Sequence, residues 1–253
     1  MTLSPRQQRI IEKLDDTNGV LSSVEITSLF NVSVQTIRKD LNELSKLGYV
    51  RRVHGGIALM PTSENLPFDS RQYLNGDAKK KIARALVNEI PDRSSIFLGI
   101  GTTVEHVAHE LVRHKGLQVF TNNLMVAAIL SNMPHIQVKM TGGNLRHSHR
   151  DLIGAETLDS IRQYYFDYGI LGCGGLDQGI GLLDFDPDEA SLTRTLVDSC
   201  RCSILVVDQS KWGRKAMARV KTFREIDKIY TDYLTPEQSD VLIANQVQVS
   251  LCI

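Results

Sequence analysis

Apolar residues recur at helical spacing in three short segments near the start of the chain. The first segment begins after Ser4-Pro5, a good cap and first position, and its predicted buried residues are Ile10, Ile11 and Leu14. The second is predicted to be capped by Ser23, with Val24, Ile26, Leu29 and Phe30 as candidate buried positions. The third begins after the cap Ser33, carries an apolar stripe of Val34, Ile37, Leu41 and Leu44, and is expected to end at Gly48. The pattern predicts a compact helical unit with a tight turn before its third helix.

The outer face of the third predicted helix is polar and cationic. With Ile37 at the centre of the buried side, the residues opposite or on the flanks are Gln35, Thr36, Arg38, Lys39, Asn42 and Lys46. These amide, hydroxyl and cationic groups are the kinds that bond base edges and phosphates. Residues 33–60 hold five cations against two acids, an excess of three in a chain whose formal net charge is zero. A solvated helix face is the alternative, and charge alone does not separate the two.

A β-hairpin, or wing, is predicted over residues 49–59. Apolar and β-branched residues flank a turn at Gly55-Gly56, and Arg51, Arg52 and His54 lie along the hairpin. A helix-turn-helix followed by a basic wing is a DNA-binding arrangement that places its second helix in the major groove. The predicted DNA-binding residues are Ser33, Gln35, Thr36, Arg38, Lys39, Asn42, Arg51, Arg52 and His54. Asp40 is predicted to orient Arg38, Arg51 or Arg52.

The chain is predicted to divide into a DNA-binding domain over residues 1–59, a linker over 60–76 and a second domain over 77–253. The linker assignment rests on two prolines, several turn-forming residues and little periodicity. Asp77 is then expected to cap a helix that buries Ile82, Leu86 and Ile90. Three consecutive lysines at 79–81 are expected to lie in its solvated first turn, with a second DNA-binding patch as the alternative.

Strand and helix patterns alternate through the second domain. The predicted strands are 95–100, 117–121, 136–140, 168–171, 203–208, 228–231 and 248–251, and the predicted helices are 102–114, 124–131, 156–164, 189–200 and 236–245. Such alternation indicates a mostly parallel sheet that is covered on both faces. The predicted fold is therefore α/β, with an N-terminal winged helix-turn-helix domain.

Glycines, hydroxyls, amides and charges follow the predicted strands at their carboxyl ends, where open α/β sheets bind ligands. The candidate ligand-binding residues are Gly101, Thr102, Thr103, Asn122, Asn123, Gly142, Gly143, Arg146, Gly172, Gly174, Gly175, Asp186, Glu189 and Lys211. Glycines let backbone N–H groups approach an anion, Arg146 and Lys211 can neutralise a phosphate, and the carboxylates, with Asp184, suit hydroxyl groups. The combination predicts a small phosphorylated ligand, with plain turn formation as the alternative.

Other classes of protein are not indicated. The chain has no Walker A, GxGxxG or HExxH motif and no cysteine–histidine ligand spacing, so no cofactor, metal or catalytic residue is predicted. The four cysteines are expected to be reduced core thiols. No apolar run is long enough for a membrane span and the first residues lack a signal peptide's apolar core, so a cytoplasmic protein without a membrane partner is expected.

Several strings resemble one family of bacterial regulators. VSVQTIRKDLNEL, the HGG of the wing and Arg9 resemble the N-terminal domain of the DeoR family of repressors. IGTT, TNNL, GGNLR, LIGAETLD, DYGILGCGG and VDQSKWGR are similar to the effector domain of that family, whose fold resembles ribose-5-phosphate isomerase. The resemblance implies that Arg38 and Lys39 contact the operator. It also implies that IGTT, TNN, GG and SK hold a phosphate, while Asp186 and Glu189 meet the hydroxyl end of the ligand.

The leading hypothesis is a repressor of a carbon-metabolism operon that a small phosphorylated sugar or polyol releases from double-stranded operator DNA. The segments DFDPDEA, IARALVNEIP and DYGILG are most similar to family members that control glycerol 3-phosphate metabolism, which implies glycerol 3-phosphate as the effector. A homo-oligomer, dimer or tetramer, is expected because helix-turn-helix proteins usually read paired half-sites. Alternatives are a regulator responding to another sugar phosphate, an activator, and a sugar-phosphate isomerase or hydrolase with an accessory DNA-binding domain. In the enzyme hypothesis Asp184, Asp186 or Glu189 supplies a general base and Lys211 assists.

Overall fold

The structure is a computed structural model that describes residues 3–17, 19–47, 49–58 and 68–253. Two compact units divide between Gly76 and Asp77. Gly48, which was predicted to end the third helix, lies outside the described residues, as does the first part of the predicted linker.

The N-terminal unit is helical with a small sheet. Its elements are α1 (Pro5–Asp16), β1 (Val20–Ser22), α2 (Ser23–Phe30), α3 (Val34–Lys46), β2 (Arg51–Val53), β3 (Gly56–Ala58) and α4 (Phe68–Tyr73). Ser4 caps α1 and Ser33 caps α3, as predicted, because each hydroxyl accepts a backbone N–H of the first turn. The cap of α2 is Ser22 rather than Ser23, since Ser22 and Glu25 form a reciprocal capping box.

The core of this unit contains most of the predicted apolar positions. Buried members on the three helices are Ile10, Ile11, Leu14, Ile26, Ile37, Leu41 and Leu44. Val24, Leu29 and Val34 were expected inside but are 75%, 55% and 50% exposed. At about 100° per residue, Val24 lies on the side of α2 opposite Ile26. Leu29 in α2 and Val34 in α3 lie at the edges of the buried stripes of their helices. These two short helices therefore bury a narrower face than a simple list of apolar residues suggests.

The wing is a three-stranded antiparallel sheet in the order β1-β3-β2. Its two-residue turn is His54-Gly55, with Gly55 at a φ of 78°, and Gly56 already belongs to β3. The turn therefore lies one residue earlier in the chain than the predicted Gly55-Gly56 turn. Gly56 is required for another reason, because a Cβ there would overlap the carbonyl oxygen of Leu21 in β1.

Part of the stretch predicted as a linker is helical. Phe68, the first residue of α4, is buried, and Leu74 just after α4 belongs to the core of the N-terminal unit. Phe68 and Leu74 are therefore part of a folded unit, which local composition did not reveal because the prolines and turn-forming residues of the stretch indicate a linker.

The C-terminal unit contains α5 (Gly76–Val87), α6 (Thr102–Glu110), α7 (Leu124–Leu130), α8 (Ala155–Arg162), α9 (Pro187–Asp198) and α10 (Pro236–Ala244). Seven parallel strands form its main sheet: β4 (Ser95–Leu98), β5 (Gln118–Thr121), β6 (Gln137–Met140), β9 (Phe166–Leu171), β12 (Cys200–Val206), β14 (Lys228–Thr231) and β15 (Gln248–Leu251). Their order is β15-β14-β12-β9-β4-β5-β6. All seven correspond to predicted strands, so the α/β prediction is confirmed.

Two separate apolar clusters cover the faces of this sheet. In β4, Ile96 and Leu98 join the cluster that contains Ile82 and Leu86 of α5, whereas Phe97 joins the opposite cluster. Successive strand residues point to opposite faces, and here both faces are covered, which explains why the strands read as continuous apolar runs.

Short antiparallel elements were missed by the sequence analysis. β7 (Asn144–Arg146) and β8 (Asp151–Ile153) form a hairpin, and β10 (Gly175–Asp177), β11 (Gly181–Asp184) and β13 (Ala218–Arg219) form a small sheet. These strands have two to four residues, too few for an alternating pattern to stand out.

The first turn of α5 also differs from expectation. The helix begins at Gly76, so Asp77 lies inside it rather than at its cap. Ile82, Leu86 and Ile90 are buried as predicted, but Lys79 is only 3% exposed and does not belong to a solvated turn. In the part of the chain that the structure describes, no helix is both long and apolar enough to cross a membrane.

Gly56→Ala is expected to weaken the three-stranded sheet by about 2–3 kcal/mol, because the new methyl group would overlap the backbone of β1. Hydrogen–deuterium exchange of the full chain measures this loss as faster exchange at the amides of β1 and β3. Gly55→Asn is the matched control, since its side chain enters open space and asparagine tolerates a positive φ. Unchanged exchange in Gly56→Ala would contradict the close approach of the two strands.

Candidate functional site

The polar face of α3 is presented as the sequence predicted. Gln35, Arg38, Lys39 and Asn42 are exposed, and Ile37 on the opposite side is fully buried. The Ser33 hydroxyl is committed to the helix start, where it accepts the Thr36 N–H at 3.2 Å and bonds the Thr36 hydroxyl at 2.9 Å. Ser33 and Thr36 therefore shape the beginning of the helix, and the four exposed side chains are available to a partner.

Cations of the wing lie on the same unit. Arg51 and Arg52 of β2 and His54 of the turn are all exposed, and β2 packs beside α3. We call the exposed residues Gln35, Arg38, Lys39, Asn42, Arg51, Arg52 and His54 the cationic surface. A surface with this excess of positive charge suits a polyanion.

Asp40 has a structural partner that the sequence analysis did not name. Its carboxylate is buried and accepts a 2.6 Å hydrogen bond from Nε of Arg6 in α1. One turn further along α3, the Glu43 carboxylate accepts from the side-chain amide of Gln7 at 3.0 Å. These contacts join α1 to the side of α3, so Asp40 holds the helix that carries the cationic surface.

In the C-terminal unit, α6 begins with an open set of backbone donors. Gly101 occupies the cap position at a φ of 124° and has no side chain to satisfy the first N–H groups of the helix. Thr102 and Thr103 follow in the buried first turn. A helix start of this kind attracts an anion, because unpaired N–H groups and the helix dipole both favour negative charge.

Buried polar atoms without partners lie where β5 and β6 end. Among the described residues, none offers a hydrogen bond to Asn122 Oδ1, Asn123 Nδ2 or Thr141 Oγ1. The other side of each amide is used, since Asn122 Nδ2 donates to the Leu152 carbonyl at 3.0 Å and Asn123 Oδ1 caps α7. An unsatisfied buried polar atom costs about 1–3 kcal/mol, which a bound polar molecule can recover. Thr141 was not among the predicted site residues.

Most of the predicted glycines have packing explanations. A Cβ at Gly143 would overlap the hydroxyl of Thr157 in α8, one at Gly174 would lie 2.8 Å from Asp184 Oδ1, and one at Gly175 would lie 2.6 Å from the Arg214 carbonyl oxygen. Gly142 is exposed and its carbonyl accepts from the Thr157 hydroxyl at 2.8 Å. Gly172 is half-buried, and a Cβ there would lie 3.3 Å from the Ile100 carbonyl oxygen. Close packing therefore accounts for Gly143, Gly174 and Gly175 without a ligand.

Arg146 does not offer a free charge to a phosphate. Its guanidinium donates to both oxygens of Asp151 at 3.0 and 2.7 Å and to Asp186 Oδ2 at 2.6 Å, and Nη2 lies 2.5 Å from Glu189 Oε1. Burial works to lower its pKa, but the bonds to Asp151 and the charge of Glu189 raise the pKa of Arg146 above its usual value. In this arrangement the charge of Arg146 is balanced by carboxylates, and its role in phosphate neutralisation stays a prediction.

The predicted acidic residues meet in this same cluster. Asp186 also caps α9 through the N–H of Asp188, and Glu189 accepts from His149 Nδ1 at 2.7 Å. Burial opposes ionisation, yet the His149 bond and the Arg146 charge lower the pKa of Glu189 to about 2. Burial and the neighbouring Glu189 raise the pKa of Asp184 well above its usual value. Ionisation is thus favoured at Glu189 and disfavoured at Asp184.

A second charged group contains two lysines. Lys211 lies in the short turn after β12, and Lys79 of α5 is buried. Both act on Asp208: burial would raise its pKa, but the charges of Lys211 and Lys79 and bonds from Ser210 lower it. A run of three lysines is typical of a solvated turn, so Lys79 was not predicted to lie at the site. In the structure Lys80 and Lys81 are exposed and Lys79 is buried.

The two charged groups are neighbours. The charge of Lys211 acts on Asp184, which in turn bonds Glu189. The structure therefore brings together a cationic end, with Lys79 and Lys211, and an acidic end, with Asp186 and Glu189. Burial raises the pKa of Cys173, which lies near Lys211, to about 12, so that this thiol is not a nucleophile. Within the described ranges no three side chains form a metal-binding group.

Known proteins match both units. A DeoR-like helix-turn-helix domain matches residues 6–63, and a DeoR C-terminal sensor domain matches residues 74–233. The glycerol-3-phosphate regulon repressor of Escherichia coli (strain K12) is 40% identical over 253 residues and covers 100% of both chains. The protein of the same name from Haemophilus influenzae is 36% identical, covering 97% of this chain and 98% of its own.

Other matches are more distant. The HTH-type transcriptional repressor CsqR of Escherichia coli is 34% identical over 236 residues, which cover 93% of this chain and 90% of its own. A solved ribose 5-phosphate isomerase A from Methanocaldococcus jannaschii is 18% identical and covers 56% of each chain with a TM-score of 0.41, a likeness too distant to bear on function.

A double-mutant cycle of Arg6→Met with Asp40→Asn is expected to give a coupling of about 1 kcal/mol, because the pair is short but Arg6 remains partly in solvent. Denaturant-dependent amide exchange at α1 and α3 measures it in the full chain. Glu12→Gln on the exposed side of α1 is the control pairing with Asp40→Asn. A coupling no larger than that of the control would show that Arg6 does not hold Asp40.

Proposed function

The chain belongs to the DeoR family, and on this premise we propose that it is a DNA-binding transcriptional repressor of a carbon-metabolism operon. The observation that carries the proposal is the pairing of a DeoR-like helix-turn-helix with a DeoR sensor domain, at 40% identity over the full length of a repressor. We assign the N-terminal unit, residues 1–76, to DNA binding and residues 77–253 to effector binding. Such a repressor acts in the cytoplasm.

The cationic surface is the proposed operator contact. Arg38 and Lys39 of α3 reach bases or phosphates in the major groove, while Arg51, Arg52 and His54 of the wing contact the backbone beside it. This assignment is supported by the exposure of all five side chains and by the commitment of Asp40 to Arg6. A homo-oligomer, dimer or tetramer, provides the paired recognition helices that a two-fold operator needs.

Glycerol 3-phosphate is the proposed effector. Its phosphate lies toward Lys79, Lys211 and the start of α6, and its hydroxyls lie toward Asp186 and Glu189. The charge separation supports this orientation, because three carboxylates around Arg146 repel a phosphate while the lysine group attracts it. The unpaired atoms of Asn122, Asn123 and Thr141 provide further polar contacts. The names of the two glycerol-3-phosphate regulon repressors favour this molecule over other sugar phosphates.

Effector binding is proposed to lower operator affinity by an allosteric coupling of about 1–3 kcal/mol, or a factor of about 5–150. We propose that no turnover accompanies it. A carboxylate with a pKa of about 2 that is held by Arg146 and His149 is a poor general base. The acidic end thus has the properties of a recognition site.

Arg38→Ala and Lys39→Ala are each expected to weaken operator binding, and each lost phosphate contact reduces the slope of log affinity against log salt by about 1. The measurement is operator affinity at several salt concentrations. Lys115→Ala removes an exposed cation of the C-terminal unit and serves as the control. Parental affinity and slope in both α3 variants would exclude these residues from the interface.

Glycerol 3-phosphate is expected to release the protein from its operator, and Lys211→Ala is expected to weaken that response by about tenfold or more, because it removes a charge-assisted bond to phosphate. A titration of the protein–operator complex with glycerol 3-phosphate and sibling sugar phosphates measures both. Lys215→Ala, an exposed lysine four positions later, is the matched control. Operator affinity that none of these phosphates changes would refute induction by this class of molecule.

A further inference from the structure

The β7–β8 hairpin, residues 144–153, bridges two parts of the candidate effector site. On one side it is fixed to the end of β5 through the backbone, since the Leu152 N–H donates to the Asn122 carbonyl at 2.8 Å and the Leu124 N–H donates to the Arg150 carbonyl at 3.0 Å. On the other side it contacts the start of α9 through side chains only: Arg146 and His149 bond Asp186 and Glu189. One attachment is thus a backbone ladder and the other is electrostatic.

The electrostatic attachment has a strong part and a weak part. Asp151 and Glu189, two of the carboxylates around Arg146, have side chains 0% and 5% exposed, whereas the side chain of Asp186 is 36% exposed. Ion pairs that water reaches are worth much less than enclosed ones. The Arg146–Asp186 contact is therefore the place where this attachment opens first.

Arg146 also occupies the position that an effector's hydroxyl would take. Asp186 uses Oδ1 to cap α9 and Oδ2 to accept from Arg146, so a hydroxyl group that approaches Oδ2 meets the guanidinium there. A hydroxyl group is a donor, as the guanidinium N–H is, and can replace it at Oδ2. Competition between the two donors at Oδ2 is the premise of the mechanism that follows.

We propose that the β7–β8 hairpin is a latch, closed by Arg146 and His149 on α9, and that the effector opens it by taking over Asp186. The proposal rests on the proposed function and specifies how that site is controlled. In the closed form Arg146 blocks the hydroxyl end, so apparent effector affinity is the intrinsic affinity reduced by the open fraction. Phosphate contacts at the lysine end supply the free energy that offsets the contacts of Arg146 and His149 with Asp186 and Glu189 that are lost on opening. Arg146 keeps its bidentate bond to Asp151, so the hairpin turns about its attachment to β5.

The alternative is that Arg146 stays in place and merely holds Asp186 and Glu189 for the effector. The two mechanisms predict opposite signs. Loosening the latch strengthens effector binding when the closed form competes with the effector, and weakens it when the closed form prepares the site.

His149→Ala tests the sign, because it removes one bond between hairpin and α9 without altering Arg146 or Asp186. Loss of a hydrogen bond to a charged carboxylate is expected to raise the open fraction, and with it glycerol 3-phosphate affinity, by about tenfold. Calorimetric titration of the full chain measures the affinity. Ser148→Ala, an exposed residue of the same turn, is the control.

Hydrogen–deuterium exchange of the wild-type protein is the second measurement, independent of any variant. With glycerol 3-phosphate bound, amides at the hairpin tip, residues 147–150, are expected to exchange faster while those of Thr102 and Thr103 are protected. Affinity in His149→Ala equal to or below that of Ser148→Ala, or protection of the hairpin tip by the effector, would overturn the latch and leave the effector assignment standing. Absence of glycerol 3-phosphate binding to the wild type would overturn both.

Discussion

Parallel pairing of all seven strands in the C-terminal unit requires each strand to return through a crossover, so that the loops leaving the carboxyl ends of the strands meet at one edge of the sheet. The start of α6, the Asn122-Asn123 pair and the turn with Lys211 all leave the sheet at this edge. Because both faces are sealed by apolar clusters, charged groups that face inward must pair among themselves or with a ligand. Because the strands are parallel, polar and charged residues that are far apart in the sequence lie close together at this edge of the sheet.

Charge compensation then divides that edge into two ends. Arg146 lies among three carboxylates at one end, and Asp208 lies beside Lys211 and Lys79 at the other. A molecule with a phosphate at one end and hydroxyls at the other fits this polarity in one orientation only. The same compensation makes Glu189 a poor base, so the features that suit recognition also argue against catalysis. In the proposed latch Arg146 blocks the hydroxyl end of the site, so effector binding is coupled to movement of the β7–β8 hairpin.

In the N-terminal unit the corresponding constraint is the position of α3. The apolar side of this helix packs in a small core, and Asp40 joins it to α1 through Arg6. A small unit has few buried contacts to spare, so one short ion pair and one glycine at the β1–β3 contact carry more weight than they would in a larger core. The exposed cations are consequently presented by a rigidly packed helix, as a surface that reads DNA requires.

The periodicity of apolar residues was sufficient to predict α1, α3 and every strand of the main sheet. Each of these elements has buried or half-buried positions that produce a recognisable apolar pattern within a short stretch of sequence. Family motifs and spacing also brought the exposed residues of α3 and the wing to attention. Local pattern could not reveal that Lys79 is buried, that Arg146 is saturated or that Asp40 pairs with Arg6, since each depends on a residue at least 34 positions away or on a neighbouring element of the sheet. Sequence by itself determined the main helices, the seven strands of the large sheet and the residue types that they carry. Only the tertiary structure decided which charges neutralise one another, because electrostatic pairing depends on distance in space and on burial.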